Sequence, residues 1–133
     1  MAEPAFPQNY LDPDVYETMG FAPLVKHAGT LYLAGVAPLK GGMAGLDVVG
    51  TTMAQQLAAT LDVVATSLAM EGLGPDAILS WTIYTTDVGA LSACVPEVLL
   101  PWLGGHRPAC TIIGSNGMFH PQQMIEITVT ARC

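Results

Sequence analysis

The stretch 51-TTMAQQLAATLDVVATSLAMEGLGPDAILSWTIYTT-86 decides the fold. In its first part Met53, Leu57, Leu61, Val64 and Leu68 recur at spacings of four, four, three and four. Residues at that period share one side of a helix, which predicts an amphipathic helix from about Thr51 to Gly72. Thr51 or Thr52 offers the capping oxygen, and Gly72 with Gly74 ends the helix. In the second part Ile78, Trp81, Ile83 and Tyr84 stand among threonines, which predicts a strand over Ala77 to Thr86. A helix with a single apolar stripe must lay it on a neighbour, and a sheet containing this strand is the natural one.

Toward the C-terminus, Asp87 to Leu103 reads as a second, shorter helix whose buried face carries Leu91, Val95, Val98, Leu99 and Trp102. Pro96 and Pro101 interrupt it, and a proline is tolerated only where no helical N–H is needed, as in a first turn. Two further strands follow, Ala109 to Gly114 and Met124 to Ala131, joined by the loop Ser115 to Gln123. Toward the N-terminus, Pro23 to His27 and Thr30 to Gly35 form a hairpin around Ala28-Gly29. Gly41-Gly42-Met43-Ala44-Gly45 reads as a loop; no G-K-[ST] or G-x-G-x-x-G accompanies it, so it is no phosphate cradle. Residues 1–20, with Pro4, Pro7 and Pro13 among acidic residues, read as an irregular arm whose Tyr10 and Tyr16 can dock on the domain. The expectation is an α+β fold in the order β-β-α-β-α-β-β, a mixed sheet with two helices on one face. One domain spans residues 21–133.

Composition narrows the function. Charged residues make up only 11% of 133, too few to cover a compact monomer, and this predicts a homo-oligomer, a trimer or dimer. The net charge is −7, and Lys26, Lys40, Arg107 and Arg132 are scattered, which argues against a nucleic-acid partner. Met1 to Tyr10 lacks the basic and apolar regions of a signal peptide, and glycines and Pro121 break the charge-free run 108–125, so no membrane partner is expected. Cys94, Cys110 and Cys133 are an odd, widely spaced set without C-x-x-C, which points to a reducing cytoplasm and no disulfide framework. His27, His106 and His120 show no paired spacing, so no metal is expected, and nothing calls for a cofactor.

Three segments carry a more specific pattern: His106-Arg107-Pro108-Ala109-Cys110-Thr111, then His120-Pro121, then Ile125-Glu126-Ile127. Together they resemble the Rid/YjgF family of small trimeric proteins, also described as endoribonuclease L-PSP, with its Arg-Pro-Ala-Arg-Ser/Thr signature, His-Pro loop and Val-Glu-Ile strand. The likeness is nearly colinear from about residue 21 to 131. It takes in Val25 to Gly35, Pro38, Gln55, Leu57 and Thr82 to Asp87. The resemblance implies a chorismate-mutase-like homotrimer with pockets at subunit interfaces. The implied activity is hydrolytic deamination of imines or enamines.

The chain departs from the family at four site positions. The arginine that clamps a substrate carboxylate falls on Cys110, a tyrosine on Phe21, a serine on Ala34 and an asparagine on Val95. Arg107 is no replacement, because side chains on a strand alternate faces and Pro108 restricts adjustment. A free 2-imino acid is therefore a poor substrate. Losing a bidentate arginine forfeits a contact worth about 1.5 to 3 kcal/mol.

Glu126 is the family's catalytic position kept intact, implied to activate the attacking water. Lining Phe21, Ala34 and Val95 would leave it poorly solvated and suited to acid–base work; the alternative is a rim carboxylate paired with Lys26, Lys40 or a neighbouring subunit. Cys110 reads either as a nucleophile with Glu126 or His120 as base, or as a small pocket wall; a nearby carboxylate opposes the thiolate and favours the wall. His120 can reach the pocket mouth as a catalytic group or serve only to pack its loop. The backbone at Gly35 and Cys110, with the neighbouring Thr111, remains able to bind a substrate.

Two function classes follow. The first is an enzyme of a dedicated biosynthetic pathway, acting by deamination or by proton transfer in a tautomerisation, dehydration or cyclisation. The second is a non-catalytic ligand-binding or interaction trimer. RNA cleavage is disfavoured by charge.

Overall fold

The computed structural model describes residues 6–133. The start of the expected arm, residues 1–5, lies outside them. Two sheets form. Strands β1 (Leu24–His27), β2 (Thr30–Val36), β5 (Ile78–Thr85), β6 (Ala109–Gly114) and β7 (Ile125–Arg132) make a five-stranded sheet in the order β1-β2-β7-β5-β6. Strands β3 (Leu39–Gly42) and β4 (Gly45–Val48) pair separately. Every pairing in the large sheet is antiparallel except β5 with β6, whose connection carries the second helical segment.

Helix α2 (Met53–Ala69) lays the expected stripe inward: Met53, Leu57, Leu61, Val64 and Leu68 are all buried. Thr52 caps it, accepting from the Gln55 N–H while the Gln55 side chain accepts from the Thr52 N–H, a reciprocal capping box. Its stripe meets Ile78, Trp81 and Ile83 of β5 and Ile125, Ile127, Val129 and Ala131 of β7 in one core. The second helical segment begins as α3 (Val88–Cys94), capped by Asp87, and ends as α4 (Leu100–Leu103). Between them lies a wider π-helical turn, Val95–Leu99. That turn is how the chain carries Pro96, which has no N–H to give a regular ladder. Both helical segments lie on one face of the sheet, as expected.

Two expectations are corrected. The arm is not irregular throughout: Pro13–Met19 form helix α1, with Pro13 in the first turn and left-handed Gly20 closing it. Two turns are too short for periodicity to reveal. The Gly41–Gly45 stretch is no loop but the β3–β4 hairpin, in which Gly41 has φ +108° and a Cβ there would sit 2.5 Å from the Gly45 carbonyl. Glycine at these positions serves a close backbone approach, which composition alone reads as flexibility. Gln8 to Asp12 run beside this hairpin, and Asp12 N–H donates to the Gly41 carbonyl.

Candidate active site

Along β7 the side chains alternate. Ile125, Ile127, Val129 and Ala131 point into the core, while Glu126, Thr128 and Thr130 point to the opposite, open face. Register fixes their neighbours: Glu126 lies beside Tyr84 of β5, which lies beside Ile113 of β6. On the other side β2 bulges between Leu33 and Val36, so that Ala34 and Gly35 together occupy the place opposite Thr128. Gly35 is where the Glu126 side chain rests, since a Cβ there would lie 2.7 Å from its Oε2. Phe21 is exposed and edge-on to Tyr16 at 5.1 Å, and neither it nor Ala34 lines the hollows beside Glu126, contrary to expectation.

The Glu126 carboxylate separates two hollows. The inner one, about 60 Å³, is walled by Tyr10, Leu11, Val15, Gly35, Ala37, Leu39, Leu46 and Phe119. The outer one, about 410 Å³, is bounded by Tyr84, Ser115, Gly117, Met118 and Phe119. No lysine or arginine lines either hollow. Lys26, one suggested partner of a rim glutamate, instead pairs with Glu71 at 2.9 Å.

The structure separates the other candidates. Cys110 stands beside Trp81 in register, and Trp81 faces the core, so Cys110 points to the helix side of the sheet and Glu126 to the open side. Within one protomer Glu126 is therefore no base for Cys110. Burial raises the thiol pKa, with a smaller opposing effect from the Trp81 hydrogen bond. Val95 belongs to the helix layer, on the side of Cys110, and does not wall the Glu126 hollows. Thr111 stands beside Thr82, which is in turn beside Thr128, and returns to the open face. Arg107 is folded back on the end of α4, donating to the Gly104 carbonyl at 2.7 Å and the His106 carbonyl at 2.8 Å.

His120 is part of the loop's scaffold. Its Nδ1 accepts the Gln122 N–H at 3.1 Å and its own N–H donates to Gln123 Oε1 at 3.3 Å. Buried Gln56 of α2 ties the same loop down, accepting from the Met124 N–H at 2.7 Å and donating to the Gln122 carbonyl at 3.0 Å. These bonds set where β7 begins and hence where Glu126 emerges.

Sequence reading missed Tyr10 and the hairpin residues Leu39 and Leu46. Tyr10 was visible only as an aromatic able to dock, because nothing local connects it with Gly35 or Glu126. Its hydroxyl accepts the Ala37 N–H at 2.9 Å. Tyr16 is buried as well, its hydroxyl has no partner among the described residues, and burial pushes its pKa up to about 12. Among the described residues no group of three or more His, Cys, Asp and Glu side chains is placed to hold a metal, and no helix is long and apolar enough to cross a membrane.

A family model described as endoribonuclease L-PSP matches residues 14–133. No curated protein matches the sequence. Several solved structures share the fold. A YjgF-family protein from Neisseria meningitidis has 25% identity and a TM-score of 0.73, over 89% of this chain and 91% of that one. A YjgF/YER057c/UK114-family member from Mycobacterium tuberculosis has 20% identity and a TM-score of 0.75, again over 89% and 91%. RidA from an Antarctic Psychrobacter has 14% identity and a TM-score of 0.74, over 85% and 88%.

Proposed function

The chain belongs to the endoribonuclease L-PSP family, that of YjgF and RidA, and from that membership we propose an enzyme acting on a small imine, enamine or related carbonyl compound, with Glu126 as its acid–base group. The observation that carries the reading is the placing of Glu126 between two hollows, over the Gly35 bulge, with aliphatic and aromatic side chains around the inner hollow and Tyr84, Ser115, Met118 and Phe119 around the outer one. A carboxylate between apolar walls is a base that water competes for poorly.

In hydrolysis, Glu126 takes a proton from water as the water oxygen bonds to the imine carbon and the C=N π pair moves to nitrogen. The same carboxyl returns the proton to nitrogen, giving a carbinolamine; it then carries the hydroxyl proton from oxygen to nitrogen as the C=O bond forms and the C–N bond breaks, and ammonia and a carbonyl product leave. Without the water, the same two proton movements convert an enamine to an imine or a ketone to its enol. The absence of a lysine or arginine from both hollows supports a neutral substrate in place of a 2-imino acid.

The proposed working form is a homotrimer. Edge strand β6 is exposed along its whole length, carries Ile112 and Ile113, and has Cys110 on one side and Thr111 on the other. A neighbouring subunit seated on that edge would bring Cys110 and Val95 of one protomer toward the Glu126 hollow of the next, uniting residues that one chain keeps apart. RNA cleavage is disfavoured by the net charge of −7.

The test is Glu126→Gln against wild type on a neutral aryl ketimine, following ammonia release. Turnover should fall about 100-fold or more, the usual scale of acid–base catalysis. Equal rates on this probe and on neutral enamines would leave the second reading, a binding trimer without chemistry. The departures at Phe21, Ala34, Val95 and Cys110 favour that reading, since none offers a charged group.

A further inference from the structure

The outer hollow, about 410 Å³, has room for a small ligand; the inner one, about 60 Å³, has not. Two walls of the outer hollow are aromatic. Tyr84 and Glu126 are direct partners across β5 and β7, so their side chains leave the sheet side by side on the open face. Phe119 lines the same hollow and is 58% exposed, more than any other large apolar side chain among the described residues. Half-buried Met118 precedes it. The loop that presents this ring is fastened on both sides. Before it, Ser115 Oγ donates to the Gly117 carbonyl at 2.8 Å and accepts the Gly117 N–H at 3.3 Å. After it, His120 is bonded to Gln122 and Gln123, and Gln56 holds Gln122 and Met124. An apolar ring held out in water by a fastened loop forgoes the burial a core position would provide. The Ser115 hydroxyl has given its proton within the loop, so Glu126 and the Tyr84 hydroxyl are the polar side-chain groups left to meet a ligand there.

We propose that Phe119 is a specificity-determining residue and that the substrate carries an aromatic ring next to its C=N or C=C carbon, laid on the rings of Tyr84 and Phe119 with the reacting carbon toward Glu126. The inference rests on the enzyme reading above and adds the class of substrate to it. Aromatic pairs gain more than their buried area through offset or edge-on contact, and the Met118 thioether is a further soft partner for a ring. A ring conjugated with the C=N bond is coplanar with it. Fixing the ring therefore fixes the direction in which the imine carbon faces, which a saturated group of equal size does not do.

The experiment compares the N–H ketimine of acetophenone with that of cyclohexyl methyl ketone, two neutral probes of similar size. Wild type should prefer the aryl probe about tenfold in kcat/KM. Phe119→Leu should reduce that preference to about twofold or less, while Phe119→Tyr, which keeps the ring, should hold it. Equal rates on the two probes in wild type overturn the proposal, as does a loss in Phe119→Leu that falls equally on both. Light scattering on the same variant should give the wild-type mass; a smaller assembly would make Phe119 a subunit contact and overturn the proposal too. Binding of the two parent ketones, followed by calorimetry, separates this inference from the one beneath it. If neither ketimine is turned over, the enzyme reading falls, and a preference for acetophenone that Phe119→Leu removes still upholds the ring site. Equal binding of both ketones ends it.

Discussion

Gly35, by lacking a side chain, leaves the room in which the Glu126 carboxylate rests. Gly35→Ala would place a methyl group 2.7 Å from Glu126 Oε2 and 2.9 Å from its carboxyl carbon. The side chain can swing away, so the fold should survive with a melting temperature within a few degrees, while ketimine turnover falls about as far as in Glu126→Gln. Full activity in Gly35→Ala would show that the resting position of the carboxylate is irrelevant. Cys110 gives a second prediction. Its pKa is raised, so the thiolate is scarcer at neutral pH than in an ordinary thiol, and the deficit closes only as pH rises through the elevated value. Alkylation by iodoacetamide should therefore be slower at pH 7 than for free cysteine and should still be climbing above pH 9. A rate that levels off below pH 8.5 would contradict this and revive the nucleophile.

At the scale of elements, Gln56 joins α2 to the start of β7 through bonds to Gly50, Gln122 and Met124. Gln56→Met preserves the volume and leaves one N–H and two carbonyls without it, which should cost about 2 kcal/mol. The melting temperature should drop by roughly 5 °C or more, and amide exchange should quicken over residues 120–124. An unchanged exchange pattern there would mean the loop is fixed from elsewhere. The elements themselves were unequally legible. The α2 stripe and strands β5, β6 and β7 rest on period and composition, which are local, and the observed bounds lie within a few residues of those expected. Helix α1 and the β3–β4 hairpin were not legible, because one has two turns and the other is built on glycine. For the candidate site, Glu126 and Gly35 were readable from the pattern of family motifs. The face assigned to Cys110 was not, since it depends on how β6 registers with β5 across a helical crossover. Tyr10 was hidden for the same reason, its partners being far away in sequence.

The whole molecule leaves apolar surface without cover. Tyr32, Leu79, Ile112 and Ile113 are each more than two-fifths exposed, on a chain with 11% charged residues. Ile113 stands in the row of Tyr84 and Glu126, on the edge strand offered to a neighbour. Ile113→Lys should convert the proposed trimer to monomers, seen as a loss of two-thirds of the mass by light scattering, and should abolish ketimine turnover with the assembly. A trimer that persists would move the interface off this edge. The strand order also has a bearing on when the protein can take shape. Strand β7 sits between β2 and β5, yet it is made after both. While the chain grows, the β1–β2 hairpin and the α2–β5 unit have no strand to join them, so the sheet closes only after residue 132 has been synthesised. Closure of the five-stranded sheet is thus its last step: until β7 is in place, the β1–β2 hairpin and β5 each present a bare edge strand.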